Sequence, residues 1–420
     1  MKKKKWKMKS KFITAFTITL ALVMLTGLFV MFSYLWIVAD AEPVSSNIGS
    51  TDEMATDRDA VWEPVQENDK YPELPEGEED TAGNNNYEKD AEEADSVTIA
   101  FAGDILFDPD YAMMATMLQR GGDITNGITP ELLAEMQSVD IMMVNNEFPY
   151  SDRGEPIPEK AFTFRAKPAY VSYLEEMGVD IVSLANNHAY DYGEEALLDT
   201  LQTLQNAQIP YVGAGVNIEE ASKPVCFDIN DMKIAFISAT QIERLDNPDT
   251  KGATTTSPGV FRCLNGEKLL QTVKEAKEES DFVIVYVHWG TENEEETDWL
   301  QEKQAPELVE AGADLIIGDH PHILQRIELI QGVPVIYSLG NFWFNSRPID
   351  TGMVKVTLFD GKLQSFQFIP CLQSNCRTTL LTGQEKARVL DEMRRMSVGV
   401  QIDDDGYVTL PDVILPEKNS

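Results

Sequence analysis

Six short runs decide most of what this chain can fold into: VTIAFAG from Val97, IMMVNNEF from Ile141, VDIVSLANNH from Val179, FVIVYVHWG from Phe282, ADLIIGDH from Ala313 and VPVIYSLGNF from Val333. Each is apolar and rich in β-branched residues, and each stops at Gly, Asn, Asp or His. That is the pattern of a strand buried on both faces and closed by a turn. Helical spacing fills the gaps: ELLAEMQS from Glu131, AYVSYLEEMG from Ala169, EEALLDTLQTLQNA from Glu194, NGEKLLQTVKEAKEES from Asn265 and DWLQEKQAPELVEAG from Asp298. Two hairpins interrupt the alternation, turning at Asn230-Asp231 and at Asp360-Gly361. The pattern predicts an α/β domain of mixed sheets covered by helices. We place it at 97–370, with 371–420 as a C-terminal extension packing on it.

The residues before Val97 differ in kind. Seven Lys fall within the first 11 positions, and Phe12 to Ala39 then runs for 28 residues without a charge. About 20 apolar residues span a bilayer, whereas the apolar core of a cleaved signal is only about 7–15 residues long. We therefore expect a basic cytoplasmic tail at 1–11 and an uncleaved transmembrane signal anchor at 12–39. The Ala39-Asp40-Ala41 triplet leaves cleavage after Ala41 open. Basic flanks stay cytoplasmic, so the C-terminal domain is expected to be extracytoplasmic, on a single-pass cell-membrane protein. Residues 40–96 are read as an acidic disordered linker, since 42–96 hold 18 acidic and 3 basic side chains without periodicity. The formal net charge of −36 excludes a nucleic-acid partner, which requires a positive field.

Ligands of open α/β sheets bind at the carboxyl ends of strands. Here those ends carry Asp104, Glu147, Asn187, His188, His288, His320 and His322. The chain has four histidines, and all four are in this set. One strand-end histidine is ordinarily structural; four of four reverse that expectation. Carboxylate, amide and neutral imidazole together suit Mn, Fe or Zn. Six of the seven as ligands exceed one tetrahedral site and fit two divalent ions clamping an in-line displacement.

At these residues the chain resembles a known family. GDILFD, NNEF, ANNHAYDYG, HWGTE, GDHPHILQ and SLGNFWF, in that order over about residues 97–370, look like the CapA (PgsA) poly-γ-glutamate capsule biosynthesis family, which is similar to calcineurin-type metallophosphoesterases. The resemblance implies a four-layer αββα sandwich with a dimetal centre and a cell-surface role in making or exporting polyglutamate capsule. By the same resemblance Asp104 matches the first metal-binding aspartate and Glu147 replaces the bridging acid. Asn187 matches the asparagine ligand, and His288, His320 and His322 match the imidazole ligands. His188 matches the histidine that donates to the leaving group. Two departures stand out: Ile105 and Leu106 replace the usual Asp-x-His opening, and Asn145-Asn146-Glu147 replaces Gly-Asp-x-x-Asp.

Around this set, Asp191 reads equally as an orienting partner of His188 and as a helix cap. Glu292 either orients a ligand or faces solvent. Asn341 either satisfies backbone groups or touches substrate. Arg165 is either a bidentate anion binder or an exposed surface arginine. Cys371 and Cys376 are close enough for a loop-closing bridge, and Cys226 and Cys263 complete an even number; free buried thiols are the alternative. Two functions fit. One is a metal-dependent hydrolase acting on a phosphoester or related anionic substrate. The other is a non-catalytic accessory subunit that binds the nascent anionic polymer beside a membrane polyglutamate synthase.

Overall fold

The computed structural model describes residues 85–89, 91, 95–242 and 250–411. The basic tail 1–11, the anchor expected at 12–39 and the tether as far as residue 84 lie outside the described residues. Among the described residues no helix is long and apolar enough to cross a membrane.

In chain order, the strands that position the site are β1 (Ser96–Ile105), β2 (Ile141–Asn146), β3 (Ile181–Ser183), β4 (Met232–Thr240), β5 (Phe282–His288), β6 (Leu315–Asp319), β7 (Asn341–Trp343), β8 (Ile349–Phe359) and β9 (Lys362–Ser374). One sheet is ordered Arg377–Leu380, β9, β8, β1, β2, β3, Tyr211–Val212, with β7 beside the end of β1. The other is ordered Asn86–Glu88, Val225–Ile229, β4, β5, β6, Val333–Ile336, Ile327–Ile330. β1, β2 and β3 are parallel, and so are β4, β5 and β6.

The two-residue period of a strand explains the layers. Ile99 and Phe101 enter the core between the sheets, while Ala100 and Ala102 face the core on the other side. Ile284 and Tyr286 likewise enter the central layer, while Val283, Val285 and Val287 face outward. Phe101 and Phe236 meet across the middle at 6.5 Å, and the Tyr286 hydroxyl donates to the Ala102 carbonyl at 2.9 Å. Helices Pro130–Gln137 and Gly193–Asn206 cover the first sheet through Leu132, Leu133, Leu197 and Leu201. Helices Glu267–Glu279 and Trp299–Ala311 cover the second through Leu269, Val273, Ala305 and Leu308. The order of layers is helix, sheet, sheet, helix. Both expected hairpin turns form, with positive φ at Asn230 (50°), Asp231 (58°), Asp360 (49°) and Gly361 (66°).

Two boundaries need correction. Within the linker read as disordered, Asn86–Glu88 adds as a parallel strand to the edge Val225–Ile229. Tyr87 packs its ring 5.6 Å from Phe227, and Lys89 pairs with Asp180. A single aromatic and an edge without a partner outweigh the local composition. The boundary at residue 370 falls inside β9, and helix Gly383–Met396 places Val389, Leu390 and Met393 in the core between the sheets. The C-terminal segment is therefore part of the sandwich. All four cysteines are buried free thiols, so the Cys371–Cys376 bridge is not formed.

Candidate metal centre

Parallel strands end together, and their polar terminal residues converge. Asp104 lies near the end of β1, Asn145 and Asn146 end β2 with Glu147 next, and Asn186, Asn187 and His188 follow β3. His288 ends β5, Asp319 ends β6, His320 and His322 follow it, and Asn341 opens β7 in register with Asp104. His320 and His322 have φ of 92° and 62°. A side chain in that region costs about 1–3 kcal/mol and persists only where its surroundings hold it.

The predicted ligands form overlapping sets. Glu147, His288 and His320 bring ligand atoms within 4.8 Å of one another, and so do Asp104, Glu147 and His322. Asn187 Oδ1 lies 2.8 Å from His288 Nε2, and His320 Nδ1 lies 3.0 Å from the same nitrogen. Asp104 accepts from Asn145 Nδ2 at 2.8 Å and lies 3.1 Å from His322 Nδ1.

Electrostatics separate the groups. Burial pushes His288 down to about 3 and holds His320 well below the ordinary imidazole value, the latter helped by the neighbouring His288 and His322. Burial also depresses His322, but its bond to Asp104 outweighs it and the net shift is upward. For Asp104 burial acts upward, and the hydrogen bond and charge of His322 reverse it to a net lowering. Glu147 is raised well above the carboxylate range by burial and by the charges of Asp104, Asp319 and Glu292.

Glu147 also tests whether a cation fits. Its side chain is 0% exposed, and neither carboxylate oxygen has a hydrogen-bond donor. The nearest basic atom is His288 Nε2, at 3.4 Å. An unpaired buried carboxylate is strongly unfavourable unless a proton or a cation neutralises it. Neutral imidazoles, Asp104 and the Asn187 oxygen around it form a donor set for a hard or borderline divalent ion. The residues fit.

The flanking predictions divide. Asp191 Oδ2 lies 2.7 Å from His188 Nδ1, and helix Gly193–Asn206 opens at Tyr192 without a side-chain cap, so Asp191 does not cap it. The His188 ring lies tilted against Phe164, with centroids 4.2 Å apart. Burial places Asp191 at about 7, against the lowering effect of Lys160. Asn341 Oδ1 lies 2.8 Å from His322 Nδ1. Glu292 is solvent-exposed yet joins His320 and His322 as a third set. Arg165 lays its guanidinium over the Tyr192 ring at 4.2 Å and, among the described residues, makes no ion pair.

Four contributors are not among the site residues expected from the sequence. Asp319, 2.9 Å from His288 Nδ1, ends ADLIIGD at a strand end like the others, a signal that was there to use. Asn145 and Asn186 knit the strand ends together, Asn186 Nδ2 donating to Asn145 Oδ1 at 3.0 Å. Lys160 contacts the Asn187 carbonyl and Asp191 from a polar loop that carries no motif.

Two face-to-face sheets with a carboxylate- and histidine-rich cluster at their carboxyl ends define an α/β sandwich protein with a candidate metal centre. Residues 98–346 match the family described as Bacterial capsule synthesis protein PGA_cap, and the chain belongs to that family. It is similar to Capsule biosynthesis protein CapA of Bacillus anthracis, 31% identical over 56% of this chain and 58% of the relative. PGA biosynthesis protein CapA of Bacillus subtilis is 30% identical over 66% of this chain and 71% of the relative. A probable polyglutamine synthesis accessory protein of Mycobacterium tuberculosis is 25% identical over 67% and 78%. The match to the anthracis protein thus spans little more than half of that relative's length.

Proposed function

We propose that the chain is a membrane-anchored, extracytoplasmic CapA-type protein of poly-γ-glutamate capsule biosynthesis or export. Its metal-dependent, hydrolase-like centre acts on a phosphoester or related anionic substrate. Family membership and the names of the Bacillus relatives support the capsule assignment. The observation that carries the metal chemistry is Glu147, a fully buried carboxylate that has no donor among the described residues and stands beside the imidazoles of His288, His320 and His322.

In this reading Asp104, Glu147, Asn187, His288, His320 and His322 hold two divalent ions, and Asp319 orients His288. When bound, such ions lower the pKa of water and offset charge on the substrate oxygens. Asp191 holds His188 through Nδ1, which leaves Nε2 to exchange a proton with the leaving group. Arg165, placed over the Tyr192 ring and without an ion pair among the described residues, offers its guanidinium N–H groups to an anionic substrate.

The test pairs metal content with hydrolysis of phosphomonoesters, phosphodiesters and polyglutamate by the purified chain. About two ions per chain and metal-dependent turnover are expected. His320→Ala should lose metal and keep its fold. His188→Ala should keep metal and lose about 10²–10⁴ in turnover, and an unchanged rate would remove its proton-transfer role. Anchoring at 12–39 predicts that external protease digests the C-terminal domain on intact cells; protection there would overturn the orientation.

A second reading is a metal-dependent accessory subunit that binds polyglutamate without turning it over beside a membrane synthase. The name of the mycobacterial relative and the missing Asp-x-His opening favour it. Bound metal and metal-dependent polyglutamate binding, without hydrolysis of any of the three substrates, would select it.

A further inference from the structure

Between β2 and β3 in the chain, a largely exposed strap, residues 151–165, runs over the segment Asn186–Tyr192, which carries the proposed ligand Asn187 and the proton carrier His188. Backbone contacts place it there. Ile157 N–H donates to the Asp191 carbonyl at 2.8 Å, and Phe164 N–H donates to Asp191 Oδ2 at 2.7 Å. Outside the segment, Arg153 Nε binds Asp199 Oδ2 at 3.0 Å. Phe164 packs inward from it against His188, and one charged side chain is buried as well. Lys160 has its side chain only 5% exposed, its Nζ lies 2.6 Å from Asp191 Oδ1, and it also donates to the main-chain carbonyl of Asn187.

A lysine is rarely buried unless paired. Here a single ammonium joins two points of one turn: the backbone of the residue whose Oδ1 faces His288, and the carboxylate that holds the His188 ring. Without the ammonium, the Asn187 carbonyl loses a charge-assisted donor, and Asp191 is left with the Phe164 N–H and His188. We propose that Lys160 is the positioning residue of the centre, fixing the Asn187–Asp191 turn so that Asn187 and His188 face the metal ligands together. This rests on the metal-centre reading above. It adds a residue that acts through the ligands without touching the ions.

The test is Mn²⁺ affinity of the full chain, measured by calorimetry, for the wild type and three variants. Lys160→Met retains the stem and removes the donor, and should weaken Mn²⁺ binding about 10–100-fold, as loss of a group supporting a ligand does. Lys160→Arg, which keeps charge and donors, should recover much of that loss. Arg153→Ala, which loosens the same strap at its other attachment, should bind Mn²⁺ like the wild type. Unchanged affinity in Lys160→Met overturns the proposal, and an equal loss in Arg153→Ala shows that any slackening of the strap suffices and overturns it too. Should Lys160→Met fail to fold, Lys160→Gln, which removes the charge and leaves a shorter neutral donor, should still weaken Mn²⁺ binding, and unchanged affinity there overturns the proposal. A folded wild type that takes up no Mn²⁺ refutes the metal centre itself, and the role of Lys160 with it; a wild type that binds Mn²⁺ beside an unaffected Lys160→Met refutes only the latter.

Discussion

At Glu147 a charge is buried without a donor, so stability and metal affinity should respond in opposite directions to its removal. Glu147→Gln should leave the metal-free fold at least as stable as the wild type, because it removes a buried ionisable group. The same variant should lose most of the stabilisation that added Mn²⁺ confers. Melting curves with and without chelator read both effects, and a metal-free variant well below the wild type would contradict the account. Asp108 gives a pH test away from the ligands. Burial pushes it up to about 7 from 3.8, against donors from the Asp110 and Arg165 N–H groups. The folded state therefore keeps this proton longer than the unfolded chain does. Its stabilising contribution is complete below about pH 4 and is lost as pH rises through 7. Asp108→Asn should gain on the wild type as pH increases across that window, and urea midpoints from pH 4 to 8 would detect it. Much of this scale was legible in the sequence. The strand-end histidines, Asp104, Glu147 and Asn187 each follow an apolar run that fixes where the side chain emerges. Lys160 was not legible, because only the fold of a long loop brings its amine to Asp191.

Among the elements, β1 leaves no room for a side chain at Gly103. A Cβ on Gly103 would lie 1.9 Å from the Gly340 carbonyl oxygen, where the chain entering β7 passes against β1 immediately beside Asp104. Gly103→Ala must shift backbone and should cost at least about 1–3 kcal/mol. The displacement should also reach Asp104 and weaken metal binding, and equal melting temperatures for variant and wild type would count against this packing. Helix Gly383–Met396 offers a contrasting case. Leu390, 1% exposed, lies in the core between the sheets, so Leu390→Ala should cost about 2–5 kcal/mol by the cavity it leaves. Half of its sequence, GQEKARVLDEMRRM, is charged, and Val389, Leu390 and Met393 are its buried core residues. These three and Met396 recur at helical spacing, but so short a stripe does not say what it packs against, which is why the segment reads as an extension. The edge strand Asn86–Glu88 escaped notice for a related reason: three residues cannot show a period. The strands that did stand out are those buried on both faces, because nothing else requires such unbroken apolar runs.

Over the whole molecule, the two sheets and their outer helices form a scaffold whose carboxyl-end rim gathers six strand termini, and ions bound there would tie both sheets together. Metal should therefore stabilise the fold as a unit, by about 2.7 kcal/mol at a free concentration 100 times Kd. A thermal shift confined to one part of the molecule, as read by hydrogen exchange, would show that the centre does not bridge the sheets.

The pairing of β1 has a consequence for synthesis. One neighbour, β2, follows it closely along the chain, with Phe101 opposite Met143, but the other is β8, with Ala102 opposite Met353. As the polypeptide emerges, the far side of β1 has to wait for some 250 further residues. Until then the first core strand shows a row of unpaired backbone groups, the kind of edge to which another chain can add. An interrupted or stalled product is thus the form of this protein most prone to self-association, and a holdase that shields nascent strands would matter more here than in a sandwich whose neighbours are consecutive.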